Sequence, residues 1–176
     1  MSRAWMLGAV AALLLMGGAA SAQDKLDIDR RDADRSDRDG LNLERRDDVS
    51  RIAGEWTGSY VCAQGVTAMR LVVKPSGGQE LRALMHFFAA PDNPDVPEGC
   101  FTLTGTFDRN GDLDLHQNEW IIQPPGYRMI GFEGELNRDG TLFRGRVVGP
   151  PGCTRFRLTR EKVARPLPEA CEKAGR

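Results

Sequence analysis

The chain has 176 residues, 40% of them hydrophobic and 28% charged, with 24 basic against 25 acidic side chains and a formal net charge of −1. That length accommodates one ordinary domain with tails. The even mix of signs excludes the basic field that nucleic acid requires and the polybasic patch that draws a protein to anionic lipid.

Residues 1–22 read as a secretory signal peptide, with Arg3 as the positive n-region, Trp5 to Met16 as the apolar stretch and Ala20-Ser21-Ala22 as a small-residue cleavage site. The apolar stretch is broken by Gly17-Gly18 and falls short of the roughly 20 residues of a membrane-spanning helix, so no membrane span is expected. Cleavage would start the mature chain near Gln23, in the periplasm or outside the cell.

Residues 23–50 are dominated by Asp and Arg, most densely from Asp29 to Asp39. So little apolar surface cannot offset the entropy of ordering the chain, and a disordered, charged linker is expected. Its end, around Leu41 to Ile52, suits a short helix or 3₁₀ turn leading into the domain.

From residue 51 to 162 the pattern becomes short apolar runs separated by turn residues at the spacing of an all-β fold. The runs are Glu55 to Ala63, Val66 to Lys74, Glu80 to Ala89, Cys100 to Phe107, Asp112 to Ile122, Tyr127 to Leu136, Thr141 to Val148 and Cys153 to Arg160. Within the fourth, Phe101, Leu103, Gly105 and Phe107 alternate with Thr102, Thr104 and Thr106, which places one face inward and the other in solvent. Short connections between consecutive strands predict an eight-stranded antiparallel up-and-down barrel. Residues 163–176 are left as a short C-terminal tail.

An internal echo supports the hairpins. Leu103-x-Gly105-x-Phe107-x-x-Asn110-Gly111-x-Leu113 returns as Phe132-x-Gly134-x-Leu136-x-x-Asp139-Gly140-x-Leu142, with Asn-Gly or Asp-Gly where a tight turn needs φ > 0. The acids around Asn110 do not make a calcium loop, because Gly111 stands at the fourth rather than the sixth position and a strand follows.

Strand direction sorts the connections between two ends. Compact turns (75–78, 108–111 and 137–140) share one end. The other carries Gln64-Gly65, the long loop 90–99 and two proline-stiffened loops, Gln123-Pro124-Pro125-Gly126 and Gly149-Pro150-Pro151-Gly152. Stiff loops on a rigid scaffold lose little entropy on binding. The candidate partner-binding residues are therefore Gln64, Asp92, Asn93, Asp95, Glu98, Trp120 and Tyr127. A bland alternative has Trp120 and Tyr127 capping the core.

Four cysteines in an exported chain point to two disulfides. Cys62 ends the first strand and Cys153 begins the last, so a bridge between them would clamp the seam of the barrel. Cys100 would then pair with Cys171 if the tail returns along the wall; the other two pairings remain open. No C-x-x-C occurs and neither His86 nor His116 lies beside a cysteine, so no metal and no cofactor is expected. Nucleophilic catalysis would need a base beside its nucleophile, and Ser59 and Ser76 stand in no such context. His86 reads as a satisfied or surface imidazole and His116 as solvent-facing. Asp112 and Asp114 share one strand face with little room for a substrate cleft. A non-enzymatic protein is expected.

Gly54-Glu55-Trp56, at the start of the first strand, resembles the G-x-W opening of the calycins, the lipocalin and avidin group. That resemblance implies a structural Trp56 at the barrel floor, with an arginine late in the barrel, Arg155 or Arg157, packed over it. Tyr60-Val61-Cys62-Ala63-Gln64-Gly65 is similar to the Y-x-C-x-x-G of periplasmic C-type lysozyme inhibitors, with Cys153 in the place of its disulfide partner; their S-G-x-x-Y and K-G segments have no clear match here. The stretch Trp56 to Gly65, with Trp120 to Tyr127, also resembles a β domain of bacterial exported proteins. With the signal peptide, the resemblances point to a binding protein in the periplasm or outside the cell, and a monomer is expected. Its partner would be an envelope or host hydrolase such as a lysozyme, which it inhibits, or alternatively a small apolar ligand carried in the barrel lumen.

Overall fold

A computed structural model describes residues 49–160 and 165–175. The expected signal peptide, and the expected linker up to residue 48, lie outside the described residues.

Eight strands follow in order, β1 (Gly54–Cys62), β2 (Gly65–Gly77), β3 (Glu80–Ala89), β4 (Gly99–Phe107), β5 (Asp112–Ile122), β6 (Gly131–Leu136), β7 (Leu142–Val148) and β8 (Arg155–Thr159). Each pairs antiparallel with the next, and β1 meets β8 from Thr57↔Thr159 to Tyr60↔Phe156, so the sheet closes. Closure satisfies the edge N–H and C=O groups that an open sheet would expose.

Period-two alternation sends one residue in two into the barrel. Trp56, Phe87, Phe101, Phe107, Phe132 and Phe143 are the bulkiest of the inward residues and are all essentially inaccessible. Removing each from water contributes about 1.5–3 kcal/mol. A barrel this small curves sharply, and inward-facing glycines permit it: a Cβ at Gly105 would stand 1.8 Å from the Asp114 carbonyl oxygen of the neighbouring strand.

The repeated hairpins share one turn chemistry. Asp108 Oδ1 accepts from the N–H groups of Asn110 and Asp112, and Asn137 Oδ1 accepts from those of Thr141 and Leu142. Gly111 and Gly140 adopt φ of +93° and +68°, as the echo predicts. The acids of the first copy thus support a plain hairpin.

Three boundaries differ from expectation. Residues 127–130 are not strand, because β5 pairs with β6 only from Asp112↔Glu135 to Leu115↔Phe132, and the stretch before Gly131 turns inward over the core. Strand β8 begins at Arg155 rather than Cys153, although Thr154 N–H still donates to the Val61 carbonyl at 2.9 Å. The tail is not simply extended: Glu169–Ala174 form a short helix, α1, with acids in its first turn and Lys173 in its last.

Both preferred disulfides are present, Cys62–Cys153 and Cys100–Cys171. Cys100 faces outward from β4, so its bridge holds α1 against the outer wall, where Cys171, Leu84 and Cys100 form a second buried cluster.

The floor of the barrel is closed by residues 49–52, a helical turn whose Val49 and Ile52 are buried. Trp56 Nε1 donates to the Ile52 carbonyl at 2.8 Å, and a guanidinium lies 4.2 Å from the indole centroid. That guanidinium belongs to Arg160, not to Arg155 or Arg157. In β8 the inward residues are Phe156 and Leu158, so parity turns Arg155 and Arg157 out to solvent.

Candidate functional site

The loop end gathers most of the expected binding residues, and several of them prove to be engaged within the protein. Asn93 Nδ2 donates to the carbonyls of Gln64 at 2.7 Å and Val66 at 3.0 Å, which stitches the long loop onto the β1–β2 turn. Gln64 Nε2 in turn donates to Thr67 Oγ1 at 3.2 Å and, more weakly, to the Tyr60 hydroxyl at 3.4 Å. Burial, only partly offset by the hydrogen bonds from Thr67 and Gln64, holds the Tyr60 phenol well above its ordinary range, so it stays neutral. Asn93 and Gln64 thus organise the loops.

Trp120 and Tyr127 are half-buried and cap the core. Tyr127 stacks on Phe87 with centroids 5.5 Å apart and planes 12° apart, while Trp120 meets Phe101 edge-on at 5.0 Å. The capping alternative therefore describes their bodies, while the outer edge of Tyr127 lines a surface hollow. That hollow, of about 340 Å³, lies between Gln64, Tyr127, Arg128, Ile130, Pro150 and Pro151, beside the Cys62–Cys153 bridge. The end of the first Pro-Pro-Gly loop with the residues after it, the two prolines of the second loop and the β1–β2 turn frame it.

The acidic loop divides. Asp92 and Asp95 are exposed and project into solvent. Glu98 does not join them: its Oε1 meets His86 Nε2 at 2.7 Å and Arg165 Nε at 3.3 Å. His86 stands outward on β3 but is fully buried, its ring 5.1 Å from that of Phe88, over which the Arg165 guanidinium lies at 4.9 Å. With Nε2 donating to the carboxylate, the neutral ring leaves Nδ1 as a buried acceptor without a partner among the described residues.

Burial lowers the His86 pKa from its ordinary 6.5, outweighing the opposing pull of Glu98. Below about pH 6.5 the unfolded chain takes up the proton first, so the contribution of His86 to stability is full above that value and declines as pH falls toward the folded-state pKa. Urea midpoints of the wild type should drop between about pH 8 and about pH 5, and the His86→Gln protein should lose part of that slope. Identical slopes in the two proteins would refute the assignment.

His116 is exposed, 3.2 Å from Asp114 Oδ2, on the outer face of β5. Among the described residues no group of His, Cys, Asp and Glu is arranged to hold a metal ion. The four cysteines are bridged, so none is available as a nucleophile.

No family model matches the chain, and no curated protein matches it. The solved structure of a redesigned β-barrel is similar to it, with a TM-score of 0.46 and 16% identity, covering 65% of this chain and 96% of that one. No helix among the described residues is long and apolar enough to cross a membrane.

Proposed function

We propose that this is an exported, non-enzymatic binding protein that engages a protein partner with its loop end and acts there as an inhibitor of a lysozyme-like or other hydrolase. The observation that carries the reading is the filled interior. Trp56, Phe87, Phe101, Phe132 and Phe143 occupy the space that a luminal ligand would need, which argues against the carrier and moves binding to the surface. At the loop end, a hollow of about 340 Å³ suits one or two protruding side chains of a partner better than a large free ligand.

Two further features support a protein partner. The loops are pre-set by proline, by the Asn93 bonds and by the Cys62–Cys153 bridge, so docking loses little entropy. Exposed Asp92 and Asp95 would face the basic surface of such a hydrolase and speed encounter. The two disulfides are compatible with a periplasmic or secreted location, where cysteines remain oxidised.

The test is affinity capture with the oxidised protein, followed by inhibition kinetics on any basic hydrolase recovered and on lysozyme itself. Asp92→Lys with Asp95→Lys should slow association about tenfold or more at low ionic strength while leaving the unfolding midpoint unchanged. Full hydrolase activity at saturating protein, with no captured partner, would end this reading.

A further inference from the structure

The even charge balance of the whole chain conceals a segregation on the outer wall. On the solvent face of β5 stand Asp112 and Asp114, and opposite them on β6 stand Glu135 and Glu133. The next two strands carry only the other sign: Arg144 and Arg146 on β7 pair across to Arg157 and Arg155 on β8. The face therefore runs acid, acid, base, base across four neighbouring strands.

Inside one molecule this order is unfavourable at two of its three ladders. Only the central one is complementary, with Arg144 Nη2 3.0 Å from Glu135 and Arg146 against Glu133. Directly opposed like charges, Asp112↔Glu135 and Asp114↔Glu133 on one side and Arg144↔Arg157 and Arg146↔Arg155 on the other, destabilise a sheet. Arg155, Arg157 and the Asp112 carboxylate form no ion pair among the described residues. Among the described residues Asp114 pairs only with the exposed His116 imidazole.

We propose that this face is a self-association surface whose occupant is a second copy of the chain. A two-fold axis lying in the interface, parallel to the strands, reverses the strand order of the facing copy without shifting residues along the strands. Acids then meet bases on every column: the Asp112 row faces Arg157 of the second copy, Asp114 faces Arg155, and the central pairs face one another with their signs exchanged. Such an isologous contact is the commonest form of protein dimer. The wall also has a suitable shape. The charged side chains of all four strands, with Gly134 and Gly145 between them, line a single surface hollow of about 890 Å³, with room for the long arginine side chains of the other copy. Because every contact is ionic, the dimer dissociates as salt rises.

Sedimentation of the oxidised, full mature chain tests this. A dimer is expected at low ionic strength and a monomer at high salt. Arg155→Glu with Arg157→Glu, and separately Asp112→Arg with Asp114→Arg, should each weaken self-association more than about tenfold. Both changes relieve like-charge pairs within the sheet, so neither variant should unfold earlier than the wild type at dilute concentration. Mixing the two variants should restore a dimer, since each then offers the sign that the other lacks. A wild type that stays monomeric at low ionic strength, variants that dimerise as the wild type does, or a mixture that stays monomeric would each overturn the proposal.

Discussion

Replacing Cys62 and Cys153 together by alanine is expected to lower the unfolding free energy by about 3–5 kcal/mol, read as an earlier urea midpoint. The bridge joins residues 91 apart and so removes nearly the whole barrel from the set of open conformations available to the unfolded chain. It also stands at the seam. Between β1 and β8 the ladder runs only from Thr57 to Tyr60, so the loop end of that seam is held by the bridge and by Thr154 N–H on the Val61 carbonyl. Replacing Cys100 and Cys171 should cost less, although they lie 71 apart. Helix α1 can detach from the outer wall while the barrel stays closed, so part of that constraint can be lost without global unfolding. A loss below about 1 kcal/mol from the first pair would show that the ladder alone holds the seam, and equal losses from the two pairs would show that α1 does not detach before the barrel opens.

The same seam shows what could be read from the chain. Strand direction, counted from turn to turn, put Cys62, Cys100 and Cys153 at one end, which favoured Cys62–Cys153 with Cys100–Cys171 while leaving the other two pairings open. The hairpin echo was equally legible, because turn chemistry is local. What escaped depended on contacts distant in sequence. Glu98 read as one more acid of the partner-binding loop, whereas His86 and Arg165, 12 and 67 positions away, draw it onto the wall. Tyr127 to Ile130 had the apolar character of a strand and lacked only a neighbour to pair with, which no local pattern reports. Helix α1 did leave a signal: Pro168 followed by Glu169 and Glu172 is a helix start. The charged wall was invisible for a different reason. Composition adds the signs of all strands together, and only the register separates acidic β5 and β6 from basic β7 and β8.

Trp56→Ala is the other large change, with an expected loss of about 3–5 kcal/mol, comparable to the removal of the seam bridge. The indole is inaccessible, meets Phe143 edge-on at 6.1 Å and donates to the Ile52 carbonyl, so its removal leaves a cavity and an unpaired carbonyl at the floor. Arg160 is coupled to the same loss. Its Nε donates to the Gly140 carbonyl at 2.8 Å, its Nη1 to that of Ala53 at 3.0 Å and its Nη2 to that of Arg51, while its plane covers the indole. One side chain thus joins the β6–β7 turn, the start of β1 and the helical turn beneath them. Lysine keeps the charge but cannot aim three bonds from a planar group, so Arg160→Lys should recover little of the loss seen in Arg160→Ala. In a double-mutant cycle the two positions should be strongly non-additive, because without the indole the guanidinium loses its cation–π partner and the turn it holds. Additive losses would mean that Arg160 supports the backbone carbonyls alone. In either case neither substitution should change partner capture by the folded fraction, since the floor and the loop end are opposite ends of the barrel; a selective loss of capture in Trp56→Ala would move the binding site to the floor.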